Sequence, residues 1–353
     1  MKGKATPFVR FVLAVWDLSV FRPVARSLGL VLLTRFAKPV GDTRTGAERS
    51  DLPLVACVQR NGAALIPAFF SHYRALGFEE FVFLDNMSTD GSVELLLSEP
   101  GVSVFQTPLS YRFFKYAMFE FLPRKFGRER WTLLADIDEF FDYPGSEDMP
   151  ISGLVAYLDE EGCDAALTYM IDLYPETLPA RDEGRNWIAE DVYFEATSMA
   201  EVEERYLSGA NAIPAPHKVL NGGVRARVFG SYDLITKSML YRPARVKKLI
   251  SGHFVKADLL CDTSFHFKHY KFLPPVYDRI SEVILRKSHF RNSISYRALI
   301  SRLDKETDLE LFRDGISVEY TSSWSVSDAG IGRVSQPYRE HVARFARQKL
   351  QGS

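Results

Sequence analysis

Cysteine is scarce in this chain. Its 353 residues hold three, Cys57, Cys163 and Cys261. Three widely spaced cysteines make no disulfide framework, and a reducing compartment suits them. No Cys/His set has the spacing of a structural zinc site. Net charge is almost absent at −1, which argues against a polyanion binder and against a nucleic-acid partner. Long apolar runs are missing too. Phe8 to Phe36 is rich in Val, Leu and Phe, but Arg10, Asp17, Arg22 and Arg26 interrupt it. Its longest uncharged stretch, Ser27 to Thr34, falls far short of the ~20 residues that a bilayer span requires. A basic start before an apolar stretch suggests a signal peptide, yet Asp17 falls inside it and no small-residue cleavage site follows cleanly. Residues 8–36 therefore read as one or two amphipathic helices, either packed on the protein or lying on a membrane surface. The expected location is cytoplasmic, with 8–36 as the peripheral contact to the inner face of the membrane. Repeats and low-complexity tracts are also lacking.

What is present is material for a core. Hydrophobic residues make up 46% and aromatics 13%, enough for one large domain or two small ones. Charge is unevenly spread. Arg242 to Arg302 holds thirteen Lys/Arg against four Asp/Glu, which fits either a local anionic ligand or a solvated surface. Gly41 to Pro53 is polar and reads as a linker. From Leu54 the pattern changes. "LVACVQ" reads as a buried strand and "NGAALIPAFFSHYRALG" as a helix with Gly77 just past its end. "FEEFVFLD", "SVELLLSE", "VSVFQTP", "YRFFKYAMFEFLPRKF" and "WTLLADID" continue the alternation. Strand and helix alternate four times, which predicts an α/β domain with a mainly parallel sheet flanked by helices. Later, "ISGLVAYLDEEG" reads as a helix and "CDAALTYMIDLYP" as a strand ending in Asp172. Arg181 to Pro216 reads as an irregular insertion or lid, and the chain from Val276 as helical. The expected division is 1–50 for N-terminal helices and linker, 51–275 for the main domain and 276–353 for a C-terminal helical extension.

In parallel sheets, ligands sit at the C-terminal ends of the strands. Three polar clusters fall there: Gln59-Arg60-Asn61, Asp85-Asn86 with Asp90, and Asp136/Asp138/Glu139. Two carboxylates at alternate positions of an extended strand would point the same way. Unpaired, they repel and raise one another's pKa. A hard divalent cation, Mg²⁺ or Mn²⁺, removes that cost and keeps positions open for water and phosphate.

These residues carry a family resemblance. "RNGAALIPAFFSHYRALGFEEFVFLDNMSTDGS" and "WTLLADIDEFF" resemble family 2-type bacterial glycosyltransferases of the GT-A fold, through D-N-x-S-T-D-G and D-x-D-E-F. "MIDLYP", "GGVRARVFG", "ITKSMLYRP", "SGHFV", "HYKFLPP" and "SHFRNSISYRALI" resemble later blocks of the same branch, so the likeness spans roughly 54–302. Gly62 departs from it, because an acidic residue is common there. The resemblance implies metal-dependent, inverting transfer of a sugar from a nucleotide-diphosphate donor to a glycan or lipid-linked acceptor. It implies that Asp85 contacts base or ribose, with Arg60 and Asn61 lining the same pocket beside Asn86 and Asp90. Asp138 would hold the metal, and Asp136 the ribose or a metal-bound water. His253, His266 or His269 would close the metal site, with His269 fitting best.

Arg225, Arg227 and Lys237 are candidates for phosphate or acceptor contacts, because guanidinium forks suit phosphate. Asp172 and Glu139 are rival candidates for the general base. Trp187, Tyr193, Phe194 and Tyr206 are aromatic enough to stack on a sugar, or to pack a lid. Other classes remain open: a haloacid-dehalogenase-type phosphotransferase, though Glu139 stands where Thr or Val is wanted; a non-catalytic nucleotide or glycan binder; and a membrane-associated scaffold.

Overall fold

The computed structural model describes residues 22–41, 52–179, 185–202, 213, 217–272, 297, 300–305 and 308–352. The 8–21 segment, the linker from 42 to 51, Tyr206 and the stretch from Val276 to 296 lie outside the described residues. Among those described, nine strands form one mixed sheet in the order β1-β4-β3-β2-β5-β12-β7-β15-β6. They are β1 (Lys38–Val40), β2 (Leu54–Gln59), β3 (Glu80–Asp85), β4 (Val102–Gln106), β5 (Thr132–Leu134), β6 (Glu139–Asp142), β7 (Ala165–Asp172), β12 (Thr236–Tyr241) and β15 (Phe265–His269). Two-stranded ribbons complete the β structure: β8 (Thr177–Pro179) with β16 (Asp308–Glu310), β9 (Tyr193–Glu195) with β17 (Ser317–Glu319), β10 (Met199–Glu201) with β11 (Leu220–Gly222), and β13 (Lys248–Leu249) with β14 (Val255–Lys256).

Strands β2, β3, β4, β5, β7 and β15 run one way, and β1, β6 and β12 run against them. The sheet is thus mostly parallel. Every residue of β2, β3 and β7 is buried, as expected of strands covered on both faces. Helices α1 (Arg22–Phe36), α2 (Ile66–Ala75), α3 (Ser92–Ser98), α4 (Tyr111–Phe126) and α5 (Ile151–Glu160) precede or connect the strands. Short helices α6 (Trp187–Glu190), α7 (Val224–Phe229) and α8 (Ser325–Asp328) follow, and α9 (Gln336–Gly352) ends the chain.

The end of α2 shows how local sequence sets direction. Gly77 has φ +93°, a conformation that costs other residues steric strain. Its N–H donates to Arg74 O at 2.9 Å, and Phe78 N–H to Tyr73 O at 3.0 Å. The Phe78 and Tyr73 rings pack 5.5 Å apart. This paired closure with its apolar contact is a Schellman motif, and it turns the chain straight into β3.

Two expectations change. β5 stops at Leu134, Asp136 to Asp138 form a turn, and Glu139 opens a separate strand. The acids therefore sit on a reversal between two strands, because β6 pairs with β15 and not with β5's neighbours. The described part of 276–353 is not purely helical, since β16 and β17 return to pair with β8 and β9. Cys163 and Cys261, distant in sequence, meet in the core, where the Cys163 thiol and burial hold Cys261 well above the ordinary thiol range. All three cysteines are buried and free.

Candidate functional site at the strand-end edge

Register places the polar residues in two rows that together line one edge of the sheet. Gln59 pairs with Asp85, and Asp85 with Gln106, at the C-terminal ends of β2, β3 and β4. Asp172 pairs with His269, and His269 with Glu139, at the matching edge of β7, β15 and β6. Lys237 enters from the antiparallel β12 beside Thr168.

The first row is built around Asp85, which is 0% exposed. It accepts from Gln59 Nε2 at 2.6 Å, Ser88 N–H at 2.9 Å and Gln106 Nε2 at 3.0 Å. Asn86 donates to Thr107 O and Leu109 O. Arg60 donates to Asn86 O. Asn61 links the two loops, its N–H on Ser88 Oγ at 2.9 Å and its Oδ1 accepting from Thr89 N–H at 2.9 Å. Asp90 is exposed and accepts from Ala63 and Ser92 N–H groups. Burial would raise its carboxyl, but these bonds, with the Ser92 hydroxyl, draw it below the usual range. Asn61 (φ 51°) and Met87 (φ 60°) are the non-glycine residues with left-handed backbone among those described; such strain gathers where surrounding structure over-determines a site. Gly62 has a steric reason for its departure. A Cβ there would lie 2.9 Å from Gln59 Oε1 and 3.1 Å from Ile137 Cγ1.

The second row belongs to the acid cluster. Asp136 is open, with 43% of its side chain exposed, and lies 3.7 Å from Lys237 Nζ. Enclosure by the protein and the charge of Glu139 lift its carboxyl to about 6, against the pull of Lys237. Glu139 is buried, ion-paired with Lys237, and receives the Asp136 N–H at 3.2 Å. Burial alone would lower Lys237's pKa, but Glu139 and Asp136 push it above the ordinary lysine value. Tyr73 of α2 holds the start of β6, its hydroxyl donating to Glu139 O at 2.8 Å and accepting from Phe141 N–H at 3.1 Å.

His269 joins the cluster from β15. Its Nδ1 meets Asp172 Oδ1 at 2.5 Å and its Nε2 lies 3.7 Å from Asp138 Oδ2. Burial opposes its charge, but the two carboxylates outweigh burial and raise its pKa. Asp172 in turn takes Arg225 Nε at 2.6 Å, and Arg225 reaches Asp233 at 2.9 Å. Burial would raise Asp172, yet Arg225 and His269 hold it at about 2.

The structure separates the remaining candidates. His266 lies on the other face of β15, as alternation requires; it bonds the Tyr320 hydroxyl at 3.0 Å and is drawn down to about 4, first by burial. His253 meets Thr236 O at 3.3 Å and is drawn to about 3 by burial and by Lys237. His266 and His253 have these partners elsewhere, and of the three expected metal-site histidines His269 is the one that approaches Asp138. Arg227 bonds Glu195 at 2.6 Å, beside the small core of Tyr174 and Leu311. Asp85 faces inward with both oxygens engaged, which revises its expected contact with base or ribose. Sequence reasoning placed Gln59 in a strand-end cluster but gave it no role, and it missed Gln106 and Tyr73. Both glutamines carried a signal, since each ends a strand in the same register row.

Among the described residues no three His, Cys, Asp or Glu side chains form a ready cation cage. The donor chemistry of Asp136, Asp138 and His269 nonetheless suits Mn²⁺ or Mg²⁺. Two hard oxygens meet an imidazole whose other nitrogen is fixed by a carboxylate.

No protein-family model matches this chain, and no curated protein matches it. Among solved structures it is similar to S. aureus TarS, with TM-score 0.33 and 15% identity over 72% of this chain and 43% of that one. It is also similar to the mannosyltransferase PcManGT from Pyrobaculum calidifontis, solved in complex with GDP-Man and Mn²⁺, with TM-score 0.27 and 17% identity over 41% of this chain and 43% of that one. The matches span less than half of each of those proteins, and at these TM-scores neither decides fold or function.

Proposed function

We propose that this chain is a GT-A-type glycosyltransferase that moves a sugar from a nucleotide-diphosphate donor to a glycan or lipid-linked acceptor, with inversion. The observation that carries this reading is that two register rows, Gln59–Asp85–Gln106 and Asp172–His269–Glu139, bring the Asp85–Asp90 loop and the Asp136/Asp138/His269 cluster to one edge of the sheet. The motif resemblance supports it.

In this reading Asp85 works from beneath. It ties Gln59, Ser88 and Gln106 together so that Arg60, Asn61, Asn86 and Asp90 form the wall that receives the nucleotide. Asp138 and His269 would hold the divalent ion, with Asp136 adjacent. When bound, that ion supplies positive charge to the departing nucleoside diphosphate. Asp172, clamped by Arg225, fixes His269 by its Nδ1 and acts by positioning. Lys237 offsets the charge of Glu139 and leaves Asp136 as the open carboxylate. A group that takes the acceptor's hydroxyl proton must reach it. Asp172 and Glu139 are buried and engaged, so we assign that role to Asp136. Lys237 stays in the cluster and Arg227 supports the lid side.

The test is incubation of the full chain with Mn²⁺ and a panel of UDP- and GDP-hexoses, reading release of nucleoside diphosphate. Release with one donor, lost in Asp138→Ala, supports the reading. Nucleotide binding without release from any donor or acceptor extract would favour a non-catalytic binder and overturn it.

A further inference from the structure

We propose that the outer face of α1, together with the exposed cations around it, is a docking surface for an anionic lipid bilayer, and that docking there holds the sheet's ligand edge against the membrane. The docking stands independently of the transferase reading.

The inner face of α1 is already used. Arg26 reaches Glu120 and Leu249 O, Leu33 is buried, and Gly29 approaches α4 so closely that a Cβ would lie 2.7 Å from Ala117 Cβ. The opposite face is apolar and bare. Val24, Leu28 and Val31, at i, i+4 and i+7, form one stripe, and they are 63%, 43% and 65% exposed. Arg35, at i+11, caps the same stripe and is exposed. The pattern does not serve the core, and no helix among the described residues is long and apolar enough to cross a membrane.

Charge selects the occupant. Residues 22–41 contain four Lys/Arg and no Asp/Glu. Helix α4 contains four Lys/Arg and one acid, Glu120, which is buried and paired with Arg26. Helices α1 and α4 and strand β1 therefore expose cations, including Arg35, Lys38, Arg112 and Arg124, and no carboxylate among their described side chains. An apolar stripe fringed by cations alone is suited to anionic headgroups, where each signal is weak and the two together bind. A second copy of this chain would bring like charges together across a two-fold contact. The sequence before α1 keeps the same character, with Lys2, Lys4 and Arg10 against Asp17.

The stripe also points somewhere. β1 follows α1, and Lys38 pairs with Gln106, whose amide donates to Asp85. The cationic end of the face therefore abuts the strand-end site. If that site transfers sugar, its acceptor is lipid-borne; this last step alone rests on the transferase reading.

The test is co-sedimentation of the full chain with vesicles of phosphatidylcholine alone or of equal parts phosphatidylcholine and phosphatidylglycerol. Binding should appear with the anionic vesicles and weaken with added salt. Val24→Glu/Leu28→Glu/Val31→Glu should lower the partition coefficient by about tenfold or more, and Arg35→Glu/Lys38→Glu should lower it and flatten the salt dependence. All five positions are exposed, so thermal melting should not move. Wild type that ignores both vesicles overturns the proposal. So does a triple variant that binds as wild type does, which would give the membrane to residues 1–21. A lipid-free dimer that the triple variant splits would show that a second copy occupies the face, and would overturn it too. Nucleotide titration of the same sample separates loss of docking from failure of the catalytic reading.

Discussion

Asp136 and Asp172 are both acids at one sheet edge, yet their surroundings give them opposite roles. Asp172 is enclosed by Arg225 and His269, while Asp136 opens outward beside Lys237. We expect Asp136→Asn to lower turnover by about a hundredfold or more at saturating metal, the usual worth of a positioned acid–base group. Asp172→Asn should instead weaken metal affinity by about 10–100-fold, as loss of an outer-sphere partner does, and excess Mn²⁺ should restore most of its turnover. Steady-state rates measured across a Mn²⁺ series separate the two. Equal, metal-insensitive losses would show that the roles are assigned wrongly. Sequence reading assigned the base to Asp172 or Glu139 and only ribose or a metal-bound water to Asp136, because the Arg225 and His269 that enclose Asp172 fold back from elsewhere in the chain. The histidines show the same limit. "HFKHY" allows either histidine, and only the strand alternation of β15 places His269 on the site face.

At the level of elements, the early alternation of strand and helix was legible because β2, β3 and α4 are long, buried and bounded by clear punctuation such as Gly77. The acid turn was not legible. "WTLLADID" looks like one strand, but β5 ends at Leu134 and β6 starts at Glu139 because β6 finds its partner in β15, far along the chain. Tyr73 bridges that break from α2. Tyr73→Phe should cost about 1–3 kcal/mol, since it leaves the buried Phe141 N–H without its acceptor, and it should loosen the turn that carries Asp138. Denaturant unfolding and nucleotide affinity should fall together. An unchanged midpoint would mean that the bond does not hold the strand start.

For the whole molecule, pH reports how charge is buried. His72, His217, His253 and His266 are all lowered, first by burial, while His269 is raised. The unfolded chain therefore binds more protons than the folded one between about pH 6.5 and 4, and stability falls as pH drops through that window. Below about pH 4 a second loss follows. Asp142 is held well below the ordinary carboxylate value, because Lys268 at 3.0 Å and His266 outweigh its burial; its contribution is present above the unfolded value near 4 and lost as pH falls further. Asp142→Asn should be less stable at pH 7 by about 2 kcal/mol and show a shallower decline below pH 4. Urea unfolding across pH checks both parts, and a decline as steep in the variant as in wild type would remove Asp142 from the account.

The most direct measurement is calorimetric titration of UDP and GDP, each with and without Mn²⁺, into wild type and Asp138→Ala. One nucleotide should bind in a Mn²⁺-dependent way, and that binding should disappear in the variant while the protein stays folded. Binding that needs no metal and survives Asp138→Ala would contradict the transferase reading and return the Asp136–Glu139 cluster to a structural role.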